Sequence, residues 1–94
     1  MRCPHLIGIV IAGDTVIGQN CTIFHQVTIG IDEIKNDGAP IIGDNVFIGA
    51  GAKIIGNVYI GNNSKIGANA VVTKDVPEKV TVVGFNRIIN KATV

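Results

Sequence analysis

Two histidines, His5 and His25, are the side chains of this sequence best placed to move a proton near neutral pH. An imidazole can take and return a proton there, so each is a candidate general base, worth around 10²–10⁴ in rate. A zinc site built on histidine needs three such ligands, and these two stand twenty residues apart with no close pair. No metal site is expected. The two cysteines, Cys3 and Cys21, do not make a disulfide framework. We read both as reduced thiols of a cytoplasmic protein.

The elements that must hold these residues follow from a repeat. Ile or Val recurs every sixth residue at Ile42, Ile48, Ile54, Ile60, Ile66 and Val72. Upstream the same phase holds at Ile11, Ile17, Ile23 and Ile29. A slim residue follows four places later, as at Thr15, Cys21, Val27, Val46, Ala52, Val58, Ser64, Ala70 and Val76. A period of six fits neither a 3.6-residue helix nor the alternation of a sandwich strand. It fits a triangular solenoid, in which each hexad gives one short strand and one turn and three hexads close one coil. The aliphatic and slim residues both point inward. Asn20, Asn45, Asn57, Asn62, Asn63 and Asn69 fall at the expected turns, where Asn tolerates positive φ.

This reading gives an all-β chain, residues 1–94 as one parallel β-helix of about four coils. From Ile29 to Ile42 the step is thirteen rather than twelve, so at least one residue is extra there. The polar segment from about 30 to 40 is expected to leave the solenoid as a loop, and such loops carry function more often than rungs do. After Val76-Pro77 the phase fades. Val80 to Val83 reads as one more strand and about 84–94 as a tail. His5 stands six before Ile11, where the repeat calls for an aliphatic side chain, and His25 falls at a turn.

Composition narrows the partners. The chain has 94 residues, of which 47% are apolar and 16% charged, with net charge +1. So small a body buries little over half its unfolded surface, and this much apolar side chain must meet other copies of the chain. Without a basic patch, nucleic acid and anionic membrane are poor partners. No stretch approaches the roughly 20 apolar residues that span a bilayer. The run Leu6 to Ala12, headed by Pro4 and His5, is not expected to be a signal peptide. The first coil begins almost at residue 1, so its end needs covering.

The run Ile42-Gly43-Asp44-Asn45-Val46-Phe47-Ile48-Gly49-Ala50-Gly51-Ala52-Lys53 resembles the hexapeptide acyltransferase superfamily, and so does Val71-Val72-Thr73-Lys74-Asp75-Val76-Pro77. His5-Leu6-Ile7-Gly8-Ile9-Val10-Ile11 and Val27-Thr28-Ile29-Gly30 resemble the carboxy-terminal domain of serine acetyltransferases, including relatives found with polysaccharide genes. The resemblance implies a left-handed coil, a homotrimer, and acetyl transfer from acetyl-CoA to a hydroxyl or amine, with CoA in a groove between neighbouring β-helices.

Residue by residue, the resemblance places His5 on the catalytic histidine of a His-x-x-Gly-Ile-Val-Ile pattern. It places Ala50 and Ala68, one coil apart, where backbone amides bond the pantetheine arm. Thr73 and Lys74 match a Thr-Lys near the CoA phosphates, and Arg87 matches an arginine of the tail. His25 matches no catalytic position and is expected in solvent or at a subunit interface. Three places depart: Pro4 stands for an Asp, a second Asp lies upstream of residue 1, and Gly38-Ala39 replace an Arg-His pair that helps hold a serine carboxylate. The expected function is an acetyl-CoA-dependent O-acetyltransferase acting on a small hydroxyl compound, serine or a sugar. A non-catalytic trimeric module and a zinc enzyme of γ-class carbonic anhydrase type, which shares the fold, are the alternatives.

Overall fold

The computed structural model describes residues 8–89. It contains twelve short strands: β1 (Val10–Ile11), β2 (Val16–Ile17), β3 (Thr22–Ile23), β4 (Thr28–Gly30), β5 (Ile41–Ile42), β6 (Phe47–Ile48), β7 (Lys53–Ile55), β8 (Tyr59–Ile60), β9 (Lys65–Ile66), β10 (Val71–Val72), β11 (Thr81–Val83) and β12 (Arg87–Ile89). They form three parallel walls. The first holds β1, β4, β7 and β10, the second β2, β5 and β8, and the third β3, β6, β9 and β11. Three walls visited in turn make a triangular prism of four coils, and the coil is left-handed. Among the described residues no helix is long and apolar enough to cross a membrane.

The hexad dictates this shape directly. Ile23, Ile29, Ile42, Ile48, Ile54, Ile60 and Ile66 are fully or almost fully buried and stack along the prism axis. Cys21, Val27, Val46, Ala52, Ser64 and Ala70 fill the narrow corners beside them. Two of these slim residues are polar, and each is satisfied locally. The Ser64 hydroxyl donates to the Gly61 carbonyl at 2.8 Å, and the Cys21 thiol donates to the Gly43 carbonyl at 3.1 Å. A buried polar group so paired costs little.

Successive coils are also tied at the corners. The Gln19 N–H donates to Asp44 Oδ1 at 2.8 Å, and the Asp44 N–H donates to Asn62 Oδ1 at 2.7 Å. Each acceptor side chain folds back under the coil before it. A Cβ at Gly18 would collide with Asp44, and one at Gly43 with Asn62, so only glycine fits there. Asn20, Asn45, Asn63 and Asn69 all take positive φ at their turns. Asn57 and Asn62, also expected at turns, do not adopt it.

The register sharpens one sequence expectation and corrects two. Stacked partners are eighteen residues apart at Ile11 with Ile29 and at Ile54 with Val72. Across the loop they are twenty-five apart, at Ile29 with Ile54 and at Ile17 with Ile42. The loop therefore inserts seven residues between β4 and β5, which puts a number on an insertion expected to be of at least one. The step of thirteen is one hexad plus seven, because the two strands lie on neighbouring walls.

The last coil is shortened. Val76 pairs with Ile60, sixteen residues before it, so it completes the second wall instead of filling a slim slot. The shortening is possible because a side chain replaces a backbone acceptor. The Ile41 N–H donates to the Val58 carbonyl, but the equivalent Tyr59 N–H donates to Asp75 Oδ1 at 2.9 Å.

The second correction concerns the tail. Arg87–Ile89 forms β12, which turns back antiparallel on β11 with Val83 opposite Arg87 and Thr81 opposite Ile89. An open parallel edge would leave its backbone groups unpaired, and the reversed strand covers it.

Candidate functional site

The prism has three corners, and the expected site residues divide between two of them. The first corner joins the first wall to the second and carries the segment 31–40. The second corner joins the second wall to the third and carries the Gln19–Asp44–Asn62 ladder. The third corner joins the third wall to the first and carries His25, Ala50 and Ala68.

At the third corner the rung bonds fix a column. The Gly51 N–H donates to the His25 carbonyl at 3.0 Å, and the Asn69 N–H donates to the Ala50 carbonyl at 2.8 Å. His25, Ala50 and Ala68 therefore stack one above another. Among the described residues neither the Ala50 nor the Ala68 N–H donates a hydrogen bond. Ala50 is half-buried and Ala68 exposed. The column thus presents two backbone donors one coil apart, with only methyl groups beside them. Gln26, Gly51 and Asn69 hold positive φ immediately after the three column residues. A Cβ at Gly51 would collide with Asn69, so that turn requires glycine. His25 is half-buried in this column, and the sequence reading foresaw its turn but not its company.

At the first corner the loop overhangs the wall. Asp32 Oδ1 accepts the N–H of Ile34 at 2.9 Å and of Lys35 at 3.2 Å, and the Asp32 carbonyl accepts the Asn36 N–H at 2.6 Å. This Asx turn lifts Ile34 into solvent, where it is 96% exposed. The loop returns through Gly38, backed by Asn57, to Ala39 and Pro40, which are both buried. The two positions that the resemblance assigns to an Arg-His pair are therefore a bare glycine, Gly38, and an inward-packed methyl at Ala39.

A groove of about 420 Å³ runs beneath the loop, lined by Asp32, Lys35, Asp37, Asn57, Thr73 and Lys74 among others. Thr73 is held from above. Its N–H donates to Asn86 Oδ1 at 2.7 Å, and Asn86 Nδ2 donates to the Thr73 hydroxyl at 2.7 Å. Asn86 directly precedes Arg87, so this reciprocal pair ties the start of β12 to Thr73. Neither Lys35 nor Asn86 is among the site residues expected from the sequence. Asn86 gave a usable signal, a turn-forming residue beside an expected site arginine. A larger concavity, about 610 Å³, lies on the other side of the loop against Val10, Ile29, Ile31 and Ile55, away from Ala50 and Ala68.

The structure thus brings Ala50 and Ala68 together, and Thr73 and Lys74 together, but puts the two pairs on different corners of the chain. His5 lies outside the described residues, as does Pro4. Among the described residues no group of three or more His, Cys, Asp or Glu is placed to hold a metal.

Comparison with known proteins fits this geometry. The family described as bacterial transferase hexapeptide (six repeats) matches residues 39–74. The chain is a member of the hexapeptide-repeat acyltransferase superfamily. Within that class it matches the carboxy-terminal domain of the serine acetyltransferases. It is 47% identical over 81 residues to the serine acetyltransferase of Mycobacterium tuberculosis, covering 85% of this chain and 35% of that protein. The structure of the Brucella abortus serine acetyltransferase in complex with coenzyme A superposes with a TM-score of 0.90 at 44% identity, over 95% of this chain and 36% of that one. The soybean serine acetyltransferase complexed with serine gives 0.88 at 45% identity, over 94% of this chain and 37% of that one. The chain spans between about a third and a half of the length of the curated relatives it matches.

Proposed function

We propose that this chain is the acetyl-CoA-binding and acetyl-transferring part of a serine acetyltransferase-like O-acetyltransferase, working as a homotrimer in the cytoplasm. The observation that carries the reading is the donor column at the third corner. Ala50 and Ala68 each offer an unpaired N–H one coil apart, with side chains too small to keep an amide-bearing arm away. This column stands in a fold that superposes with a TM-score of 0.90 on a coenzyme A complex. An extended pantetheine arm, with two amides of its own, is a chemical match for such a ladder.

In this reading His5 takes the proton of the acceptor hydroxyl while the hydroxyl oxygen attacks the thioester carbonyl. The CoA thiol then leaves with the proton returned by the imidazole. The donors of the column hold the arm and so position the thioester, which is where orientation lowers the barrier. Thr73, Lys74 and Arg87 hold the phosphate end, with Asn86 fixing the Thr73 hydroxyl. No metal takes part.

A sugar acceptor is the second reading, and one observation favours it. Ala39 is buried and Gly38 carries no side chain, so this stretch of the loop offers no cation to a serine carboxylate. Release of CoA thiol from acetyl-CoA, followed with serine and with a panel of sugars, tests both. Turnover with either acceptor, abolished in His5→Ala, supports the proposal. No thiol release with any acceptor from a folded, CoA-binding chain would leave the fold without the chemistry.

A further inference from the structure

The column at the third corner has three members, and the third is not an alanine. Ala68, Ala50 and His25 follow one another at one-coil steps, tied by the Asn69 N–H on the Ala50 carbonyl and the Gly51 N–H on the His25 carbonyl. Neighbouring strands of a sheet lie roughly 4.8 Å apart, and the members of the column share that spacing. An extended acetyl-pantetheine arm carries three carbonyls, two of amides and one of the thioester, which succeed one another at roughly 5–6 Å. Two amide carbonyls set on the Ala68 and Ala50 N–H groups therefore bring the thioester carbonyl level with His25.

The polarity of the arm agrees. Thr73 and Lys74, proposed for the phosphate end, follow Ala68 in the chain, so the reacting end points away from them, toward His25. In the hexad phase of the sequence the proposed base His5 stands eighteen residues before Ile23, on that same side. The corner also holds His25 firmly. Phe24 beside it donates its N–H to the Ile48 carbonyl at 3.1 Å, and its ring stands 5.2 Å from that of Phe47. His25 is half-buried with Nδ1 buried, which leaves Nε2 as the ring nitrogen that a ligand can meet.

We infer that His25 is a further catalytic residue, whose Nε2–H donates to the thioester oxygen. The inference rests on the acetyl-CoA reading of the column and deepens it. As the acceptor oxygen attacks the carbonyl carbon, the C=O π pair moves onto the carbonyl oxygen. The imidazole N–H stabilises that oxyanion. The pair then returns to re-form the carbonyl while the C–S bond breaks and the thiolate takes the proton held by His5. His25 stays neutral and exchanges no proton, which separates it from the base. An oxyanion donor of this kind is worth about 10²–10³ in kcat.

Carbon-13 NMR of acetyl-CoA labelled at the thioester carbonyl, bound to the full chain without acceptor, reads this hydrogen bond before any turnover. The carbonyl resonance is expected to move downfield on the native chain and to lose that shift on His25→Ala. His25→Gln, whose amide nitrogen reaches the place of Nε2, should keep most of it. CoA itself, which lacks the carbonyl, should bind all three alike. In steady state His25→Ala should lose about 10²–10³ in kcat with little change in KM for acetyl-CoA, and His25→Gln should stay within about tenfold of native. His25→Leu, which fills the corner without a donor, replaces His25→Ala if that variant melts early. A carbonyl shift equal in the native chain and His25→Ala, or His25→Gln as slow as His25→Ala, would overturn the inference and leave the proposed function standing. A native chain that binds no acetyl-CoA would sink both.

Discussion

The rungs from Ile42 to Val72 and the loop 31–40 are built on opposite principles. In the rungs, every coil repeats the one below. Ile54 stacks between Ile29 and Val72, and the Asn45, Gly51, Asn63 and Asn69 N–H groups at the corners each find a carbonyl one coil away. In the loop, order comes from a single carboxylate, Asp32, and the side chain it displays, Ile34, points away from the body. The rungs spend their side chains on burial, and the loop spends its side chains on a groove. The difference teaches where change is tolerated: a rung substitution is felt by two neighbouring coils, and a loop substitution by the groove alone.

The strongest way to break this contrast is at the core. Ile54→Ala removes a fully buried side chain from between two stacked neighbours and should cost about 2–5 kcal/mol in chemical denaturation. A smaller but definite loss is expected at a corner. Gly51→Ala places a Cβ at φ 74° and against Asn69, so about 1–2 kcal/mol should go to the backbone alone, with more to move the amide. Thermal melting of the variant checks it.

Asp32→Ala should cost the chain about 1 kcal/mol or less, since it removes hydrogen bonds from an exposed turn. Its signature is local: amide exchange at Ile34 and Lys35 should quicken while exchange at Ile48 and Ile66 stays as it was. The smallest effect is expected from Ile34→Ser, within about 0.5 kcal/mol, because that side chain contributes nothing to the core. A loss of several kcal/mol there would erase the distinction between loop and rungs.

The rungs were legible in the sequence because inward stacking imposes a period that composition cannot hide. Ile48, Ile54, Ile60 and Ile66 announce their walls by spacing alone. The irregular parts were not legible for specific reasons. The size of the loop insertion stayed open because a jump of thirteen reads equally as two hexads plus one or as one hexad plus seven. Val76 was misassigned because it stands four residues after Val72, the usual slim offset. Only the Asp75 carboxylate, standing in for a rung carbonyl, reveals the shortened coil. β12 escaped because an antiparallel return carries no hexad phase.

For the site, spacing alone placed Ala50 above Ala68. It could not show that Thr73 and Lys74 occupy another corner, since corner membership depends on how many strands intervene. Nor could it show that Ala39 faces inward, because the direction of a residue beside a loop is set by where the loop rejoins the wall.

The central claim is that the unpaired donors of Ala50 and Ala68 form the seat of a coenzyme A arm. Calorimetric titration of CoA into the native chain and into Ala68→Trp tests it most directly, with far-ultraviolet circular dichroism as the control for folding. The account predicts saturable binding to the native chain and at least a tenfold rise in Kd for the variant, whose indole would fill the space beside the two amides. Equal affinity in two equally folded proteins would contradict it.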